Sequence, residues 1–306
     1  EGIKLVKKAI EIGGDAPAHL VAANEKAVQE FLNGKIGFLE IYEKMIKAYF
    51  NVFKELGIKS QTYLTFASGG TFSKYSHEFQ TITSSGEDII YIDEASGAAL
   101  NKEVLNDDVL IQLNLKREKL VEHKAIEVGN IFDLKTKYSA PFDLSFTDEK
   151  GEKRAVLMGC YGIGLSRLLG TVVEVLSDDK GIIWPQSVAP FVLHLLSLGE
   201  DEEVKKEAKK IYESLLKNNI EVLFDDRVGI SAGEKFSDAD LIGIPYRAVV
   251  SSRSLKENGI ELKKRAEEKG KIVSLDELLK LMRARVRALG SHSGSHSELC
   301  LKNSTN

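Results

Sequence analysis

The chain is poor in the residues that staple, kink or span. Two cysteines in 306 residues, Cys160 and Cys300, lie 140 positions apart and neither has a second cysteine at metal-ligand or redox spacing. That excludes a disulfide scaffold and a cysteine zinc site, and it fits a reducing cytoplasm. Five prolines and one tryptophan leave few fixed turns and little large aromatic surface. No apolar run approaches the ~18 to 20 residues a membrane helix needs. The first residues form a Lys-bearing amphipathic pattern without a signal-peptide core. A net charge of -4 excludes a global pull on a polyanion, so any nucleic-acid contact must come from local groups of Lys and Arg.

What is present is enough apolar residue, 43%, to bury more than one core. Residues 1–12 and 16–33 read as helices broken by Gly13-Gly14. From Leu39 to Leu56 apolar side chains recur at Tyr42, Met45, Ile46, Tyr49, Val52, Phe53 and Leu56. They form one stripe along a helix that Gly57 ends. Short β-prone runs then predict antiparallel strands at 63–66 and 88–92, with further strands at 124–132 and 154–158. A helix opens at Gly162 and Gly164 and runs through Leu176. The pattern resets between Trp184 and Pro190. Beyond it, strands at 191–198, 220–224 and 246–250 alternate with helices at 204–215, 231–241 and after Ser274, which predicts a mixed sheet with helices on its faces. The Ser- and His-rich stretch from Gly290 is expected to be disordered.

Gly159 to Arg167, reading GCYGIGLSR, is the stretch richest in chemical content. Its glycines let a backbone approach a ligand, and Arg167 offers a planar donor suited to phosphate. By itself such a turn serves packing as readily as binding. It lacks the GxGxxG frame, and no Gly-Lys-Ser/Thr follows, which counts against both nucleotide-fold readings. His77-Glu78 reads as a surface hydrogen-bonded pair or as a site, and Phe79 as core or as a pocket wall. Cys160 reads as a small buried side chain rather than a nucleophile.

Together, GCYGIGLSR with GIIWPQSVAPF (181–191), SGGTFSKYSHEFQT (68–81), AIEVGNIFDLKTKYS (125–139) and FDDRVGISAGEKFSDADLIGIPYRAVV (224–250) resemble bacterial-type prolyl-tRNA synthetases of class II over about residues 42–283. The resemblance implies an α/β (α+β) chain. A partial class II antiparallel sheet with helices (42–188) is followed by an α/β anticodon-binding domain (189–284) and a tail (285–306). It implies ATP-dependent activation of proline and its transfer to tRNA(Pro), with ATP and Mg2+ as cofactors, in the cytoplasm and as a homodimer. The alternative is a non-catalytic tRNA anticodon-binding module.

By the same resemblance Arg167 is the catalytic arginine of motif 3, and Glu127, Asn130, Gly162, Gly164 and Arg167 bind ATP. His77, Glu78 and Phe79 bind proline, while Asp226, Arg227, Lys235 and Asp240 contact the anticodon. No residue is expected to form a protein-only metal site. Asn130 stands where the family has histidine, and Lys135 where it has glycine. About 45 residues separate SHEFQ from IEVG, which leaves no room for the large editing insertion, so no proofreading is expected. No segment before residue 42 resembles motif 1 or the start of motif 2, and weak or absent proline-dependent exchange is expected from that. Residues 10–41 instead resemble the carboxy-terminal helices of 1-deoxy-D-xylulose 5-phosphate reductoisomerase, which suggests a fused reading frame joined near Ile41-Tyr42.

Overall fold

A computed structural model describes residues 25–70 and 75–286, apart from the side chains of Phe38 and Leu39. The helices expected before residue 25 and the tail from Gly290 lie outside the described residues. These fall into two compact units, one ending at Val175 and one beginning at Leu176.

In the first unit, residues 25–32 are helical and helix α1 follows at Phe38–Glu55. The Glu40 carboxylate accepts a hydrogen bond from the Gly37 N–H at 2.7 Å, closing the start of α1, and Gly57 leaves it in the left-handed region at φ 74°. Met45, Tyr49, Val52, Phe53 and Leu56 of the predicted apolar stripe are buried, Tyr42 and Ile46 are half-buried, and Ile41, outside the stripe, is buried as well. Glu30 pairs with Lys44 of α1.

The sheet behind α1 contains β1 (Thr62–Ser68), β2 (Tyr75–Ile82), β3 (Asp88–Asp93), β4 (Ala98–Asn101), β5 (Leu120–Lys135) and β8 (Met158–Ile163), in the order β2-β1-β4-β3-β5-β8. Helix α2 (Asp107–Gln112) precedes β5, and a small hairpin, β6 (Ser145–Thr147) with β7 (Lys153–Ala155), stands between β5 and β8. Every pairing is antiparallel except β1 with β4. β5 is shared: residues 120–125 pair with β3, 125–131 with β2 and 129–135 with β8.

The glycine-rich segment differs from expectation. Gly159 to Gly162 lie inside β8 rather than in a turn after a strand ending at Met158. Two glycines weaken intrinsic strand preference, and it is the pairing of six positions with β5 that fixes this strand. Cys160 is exposed, not buried. β8 ends the sheet, and its outer positions at Gly159 and Cys160 are left uncovered. Helix α3 (Leu165–Val175) starts directly after β8.

The second unit opens with a two-residue pair, β9 (Ser177–Asp178) and β10 (Gly181–Ile182). Arg265, 6% exposed, holds this pair through both Asp178 oxygens and the Gly181 carbonyl. Residues 176–188, assigned from sequence to the first domain, therefore pack with the second. A lone buried guanidinium and its carboxylate, 87 positions apart, leave no local pattern to read.

The main sheet runs β12 (Val222–Asp225), β11 (Leu193–Ser197), β13 (Tyr246–Val250), β14 (Ile260–Lys264), β15 (Lys271–Val273). Its first three strands are parallel and the rest antiparallel, the mixed sheet the sequence predicts. α4 (Glu202–Lys217) and α5 (Ala232–Ile242) make the crossovers, capped by Asp201 and Ser231. Val204, Ala208, Ile211 and Leu215 of α4 close the main core over Leu193, Leu195, Ala248 and Val250. α6 (Ser252–Lys256) and a helix at 275–286 complete the unit.

Candidate active site and candidate RNA-binding residues

Alternation along β2 sorts its residues between two faces of the sheet, because successive side chains in a strand point opposite ways. His77 and Phe79 face α1. The Tyr42 hydroxyl lies 2.8 Å from His77 Nδ1, and Phe79, 0% exposed, stacks on Tyr49 at 4.4 Å between centroids and packs on Phe50 and Phe53. Glu78 points the other way. Three consecutive strand residues cannot line one pocket, so the expected proline set His77, Glu78 and Phe79 is divided: Phe79 is core, and His77 borders a separate cavity of about 700 Å3 on the α1 side.

The opposite face gathers the remaining candidates. Cross-strand pairing sets Glu78 beside Asn130 and Asn130 beside Gly162. Asn130 donates from Nδ2 to Glu127 Oε1 at 3.1 Å. A side chain at Gly162 would meet Asn130 Oδ1 at 3.0 Å, so glycine there keeps the surface clear. Gly164 ends the strand, and its carbonyl accepts from Leu168 N–H at 2.7 Å as α3 begins. Within the first turn of α3, Arg167 reaches back to the Glu127 carbonyl at 3.3 Å and to Glu127 Oε2 at 3.4 Å, with Glu87 at 3.8 Å. Its side chain is 48% exposed, so an anion can replace these contacts. A guanidinium at a helix N-terminus is a favourable place for phosphate.

Sequence reasoning missed two supports of this face. Gln80, 0% exposed, donates from Nε2 to both Glu78 (3.1 Å) and Asp88 (2.7 Å), bridging two carboxylates. Tyr49 lies beneath the sheet, and its hydroxyl sits 3.0 Å from the carbonyls of Asn130 and Gly162. Its ring occupies the space that a side chain at Gly129 would need, 2.9 Å from that Cβ. Period-two alternation through His77-Glu78-Phe79-Gln80 was the available signal for Gln80. For Tyr49 there was none beyond its place in the α1 stripe. Lys135, where the resemblance led us to expect glycine, adopts φ 47° at a bulge in β5, a conformation glycine takes without strain.

Burial foremost, then the neighbouring Glu127 and Asp88, outweigh the hydrogen bonds from Gln80 and Asn101 and push the Glu78 carboxyl up to about 7. The folded state thus holds a proton on Glu78 that the unfolded chain, near 4.5, releases. Stability conferred by the protonated form is present below about 4.5 and falls as pH rises through 7. Glu78→Gln should raise the urea midpoint at pH 8 and leave it nearly unchanged at pH 4. A larger gain at pH 4 than at pH 8 would contradict this placement.

Among the described residues no group of three or more His, Cys, Asp or Glu side chains could hold a metal. Mg2+ carried on phosphates needs only one or two protein carboxylates, and Glu127, beside Arg167, is suited to that use.

In the second unit the four expected anticodon residues divide. Asp226 is exposed. Arg227 is also exposed, held by Asp225 through two hydrogen bonds (3.0 and 2.8 Å) and by Asp238 at 2.7 Å. Asp240 accepts from Arg247 at 2.9 Å. Lys235 is 2% exposed and not free to meet a phosphate; its ammonium donates to the Ser197 carbonyl at 2.8 Å and sits 3.4 Å from Asp225 Oδ1. Where β11 and β12 end, their carbonyls and the Asp225 carboxylate need a buried donor, and Lys235 supplies it. Burial would raise Asp225, but the Arg227 side chain and N–H and Lys235 prevail and hold it at about 2.

Residues 33–176 match the family model of the tRNA synthetase class II core domain (G, H, P, S and T), and residues 190–285 that of an anticodon binding domain. With the antiparallel sheet and mixed second unit, this makes the chain a class II aminoacyl-tRNA synthetase segment. The core match reaches back into the stretch that resembles reductoisomerase helices.

A proline--tRNA ligase of Wolbachia sp. subsp. Drosophila simulans is 37% identical over 254 residues, covering 79% of this chain and 59% of the relative. That of Rickettsia bellii is 36% identical over 251 residues, covering 78% and 57%. That of Persephonella marina is 47% identical over 163 residues, covering 53% and 29%. The prolyl-tRNA synthetase of Cryptosporidium parvum, solved with halofuginone and AMPPNP, shares the fold at a TM-score of 0.60 and 19% identity, covering 82% of this chain and 46% of that one. The chain belongs, as a segment, to the bacterial-type prolyl-tRNA synthetase family. It spans under three fifths of the length of these relatives.

Proposed function

We propose that this chain supplies the motif 3 half of a proline–tRNA ligase active site together with its tRNA-binding unit. The single observation that carries this is Arg167, half exposed on the first turn of α3 and resting on Glu127 beside the Gly162 and Gly164 backbone. In the reaction, the proline carboxylate attacks the α-phosphorus of ATP and pyrophosphate leaves. The terminal ribose hydroxyl of tRNA(Pro) then attacks the prolyl carbonyl, and AMP leaves. Neither step uses a covalent enzyme nucleophile, so fixed positive charge and orientation do the work. Arg167 meets the triphosphate. Asn130 and Glu78 border the proline side of the same face, where an ionised Glu78 accepts from the substrate's secondary ammonium. Mg2+, when bound, neutralises phosphate charge beside Glu127.

Residues 33–175 act as the partial catalytic domain and 189–284, with 176–188 packed against them, as the anticodon-binding domain, in which Asp226, Arg227 and Asp240 remain the candidate contacts. Cytoplasmic location and homodimerisation complete the reading. No helix among the described residues is long and apolar enough to cross a membrane.

Calorimetry with Mg2+·ATP tests the assignment. Arg167→Ala should weaken ATP binding about tenfold to a hundredfold, the loss expected for hydrogen bonds to a charged partner. Equal affinity for wild type and variant would remove Arg167 from the site. The competing reading is a non-catalytic tRNA-binding module. Robust proline-dependent ATP–pyrophosphate exchange by the chain would eliminate it.

A further inference from the structure

A glutamine stands where the interior of the first sheet would hold an apolar side chain at less cost. Gln80 of β2 is 0% exposed, and its Nε2 gives one hydrogen to Glu78 at 3.1 Å and the other to Asp88 of β3 at 2.7 Å. This fixes the amide, because turned round its oxygen would face two carboxylates. Gln80 Oε1 is thereby left buried without a hydrogen-bond partner among the described residues. An unpaired buried acceptor costs stability, so packing alone does not account for the bridge.

The surroundings of Glu78 show what the bridge does. β5 brings Glu127, β3 brings Asp88 and β4 brings Asn101, while Thr65 of β1 lies opposite Glu78 in the register. Both charged groups acting on Glu78 are carboxylates, and its donors, Gln80 and Asn101, are neutral amides. A neutral donor orients a carboxylate without cancelling its charge. A cation placed beside Glu78 therefore meets an uncompensated partner and favours its ionised form. The ammonium of proline is such a cation.

We infer that Gln80 is a positioning residue of the proline site: its amide aims the Glu78 carboxylate and leaves the substrate's ammonium to supply the positive charge. The inference rests on the reading of Glu78 as bordering the proline side of the face.

Gln80→Met keeps the stem and removes both donors. Without them the Glu78 carboxyl, already pushed up to about 7, should titrate higher still. Calorimetry of the whole chain should then show proline bound about tenfold more weakly at pH 7, where the variant keeps the proton, and with little loss at pH 9, where both proteins have released it. Tetrahydrofuran-2-carboxylate, with an ether oxygen in place of the ammonium, should gain on proline in the variant at pH 7, because a protonated Glu78 can donate to it. Affinity for Mg2+·ATP should be unchanged, since Arg167 keeps its contacts. Carbon-13 NMR of the Glu78 carboxyl, identified with Glu78→Gln, follows the titration without ligand. A loss of proline affinity equal at both pH values, or a Glu78 midpoint unmoved in the folded variant, would overturn the role of Gln80 and leave the proline site in place. Absence of proline binding by the wild-type chain would overturn the reading of the site, and the inference with it.

Discussion

Phe79→Ala is expected to destabilise the first unit by about 3 to 5 kcal/mol, the cost of removing a fully buried phenyl ring. The ring lies between α1 and β2, stacked on Tyr49 and in contact with Phe50 and Phe53, so its loss opens a void that two rigid elements cannot both close. Against a total of about 5 to 15 kcal/mol for a domain, much of the margin disappears. Urea denaturation followed by far-UV circular dichroism measures it. A change below about 1 kcal/mol, with proline binding lost instead, would return Phe79 to the pocket that the family resemblance assigns it.

Lys235→Ala should cost the second unit a similar amount, about 3 to 5 kcal/mol, because it removes one partner of a buried charged network. The Ser197 carbonyl loses its donor, and Asp225 keeps only Arg227. Lys235→Met, which preserves the aliphatic stem, should lose less. The competing outcome is specific: unchanged stability with weaker tRNA binding would mean that this ammonium reaches phosphate after all.

Both substitutions fall where residue type misled the reading of the sequence. A lysine amid aspartates looks like a solvated cluster, and only the convergence of β11, β12 and α5 shows that its amino group is sealed inside. Phe79 lies in one of the segments that carry the family resemblance, yet strand alternation sends its ring to the core. By contrast α1 was plain in advance, since the predicted stripe recurs at helical spacing, five of its seven positions are buried and a glycine ends it.

The three parallel strands of the second unit and the helices between them were equally legible, each segment being bounded by turn residues, whereas β14, β15 and α6 gave no separate signal. β8 was not, because glycines give no strand signal and its register comes from β5 far behind it in sequence. Of the candidate active face, Arg167, Glu127, Asn130 and Glu78 came from family resemblance. The Gln80 bridge between two carboxylates is a tertiary fact with no pattern of its own.

The sharing of β5 among three partners bears on how the polypeptide emerges from the ribosome. Strands β1 to β4 are made first, and β2 and β3 each keep one edge bare until residues 120–135 arrive to cover them. During that interval the nascent chain presents open hydrogen-bonding edges, an invitation to mispairing with neighbouring chains. Slow synthesis across residues 100–120 would lengthen the exposure, and a chaperone that holds this stretch would shorten its consequences.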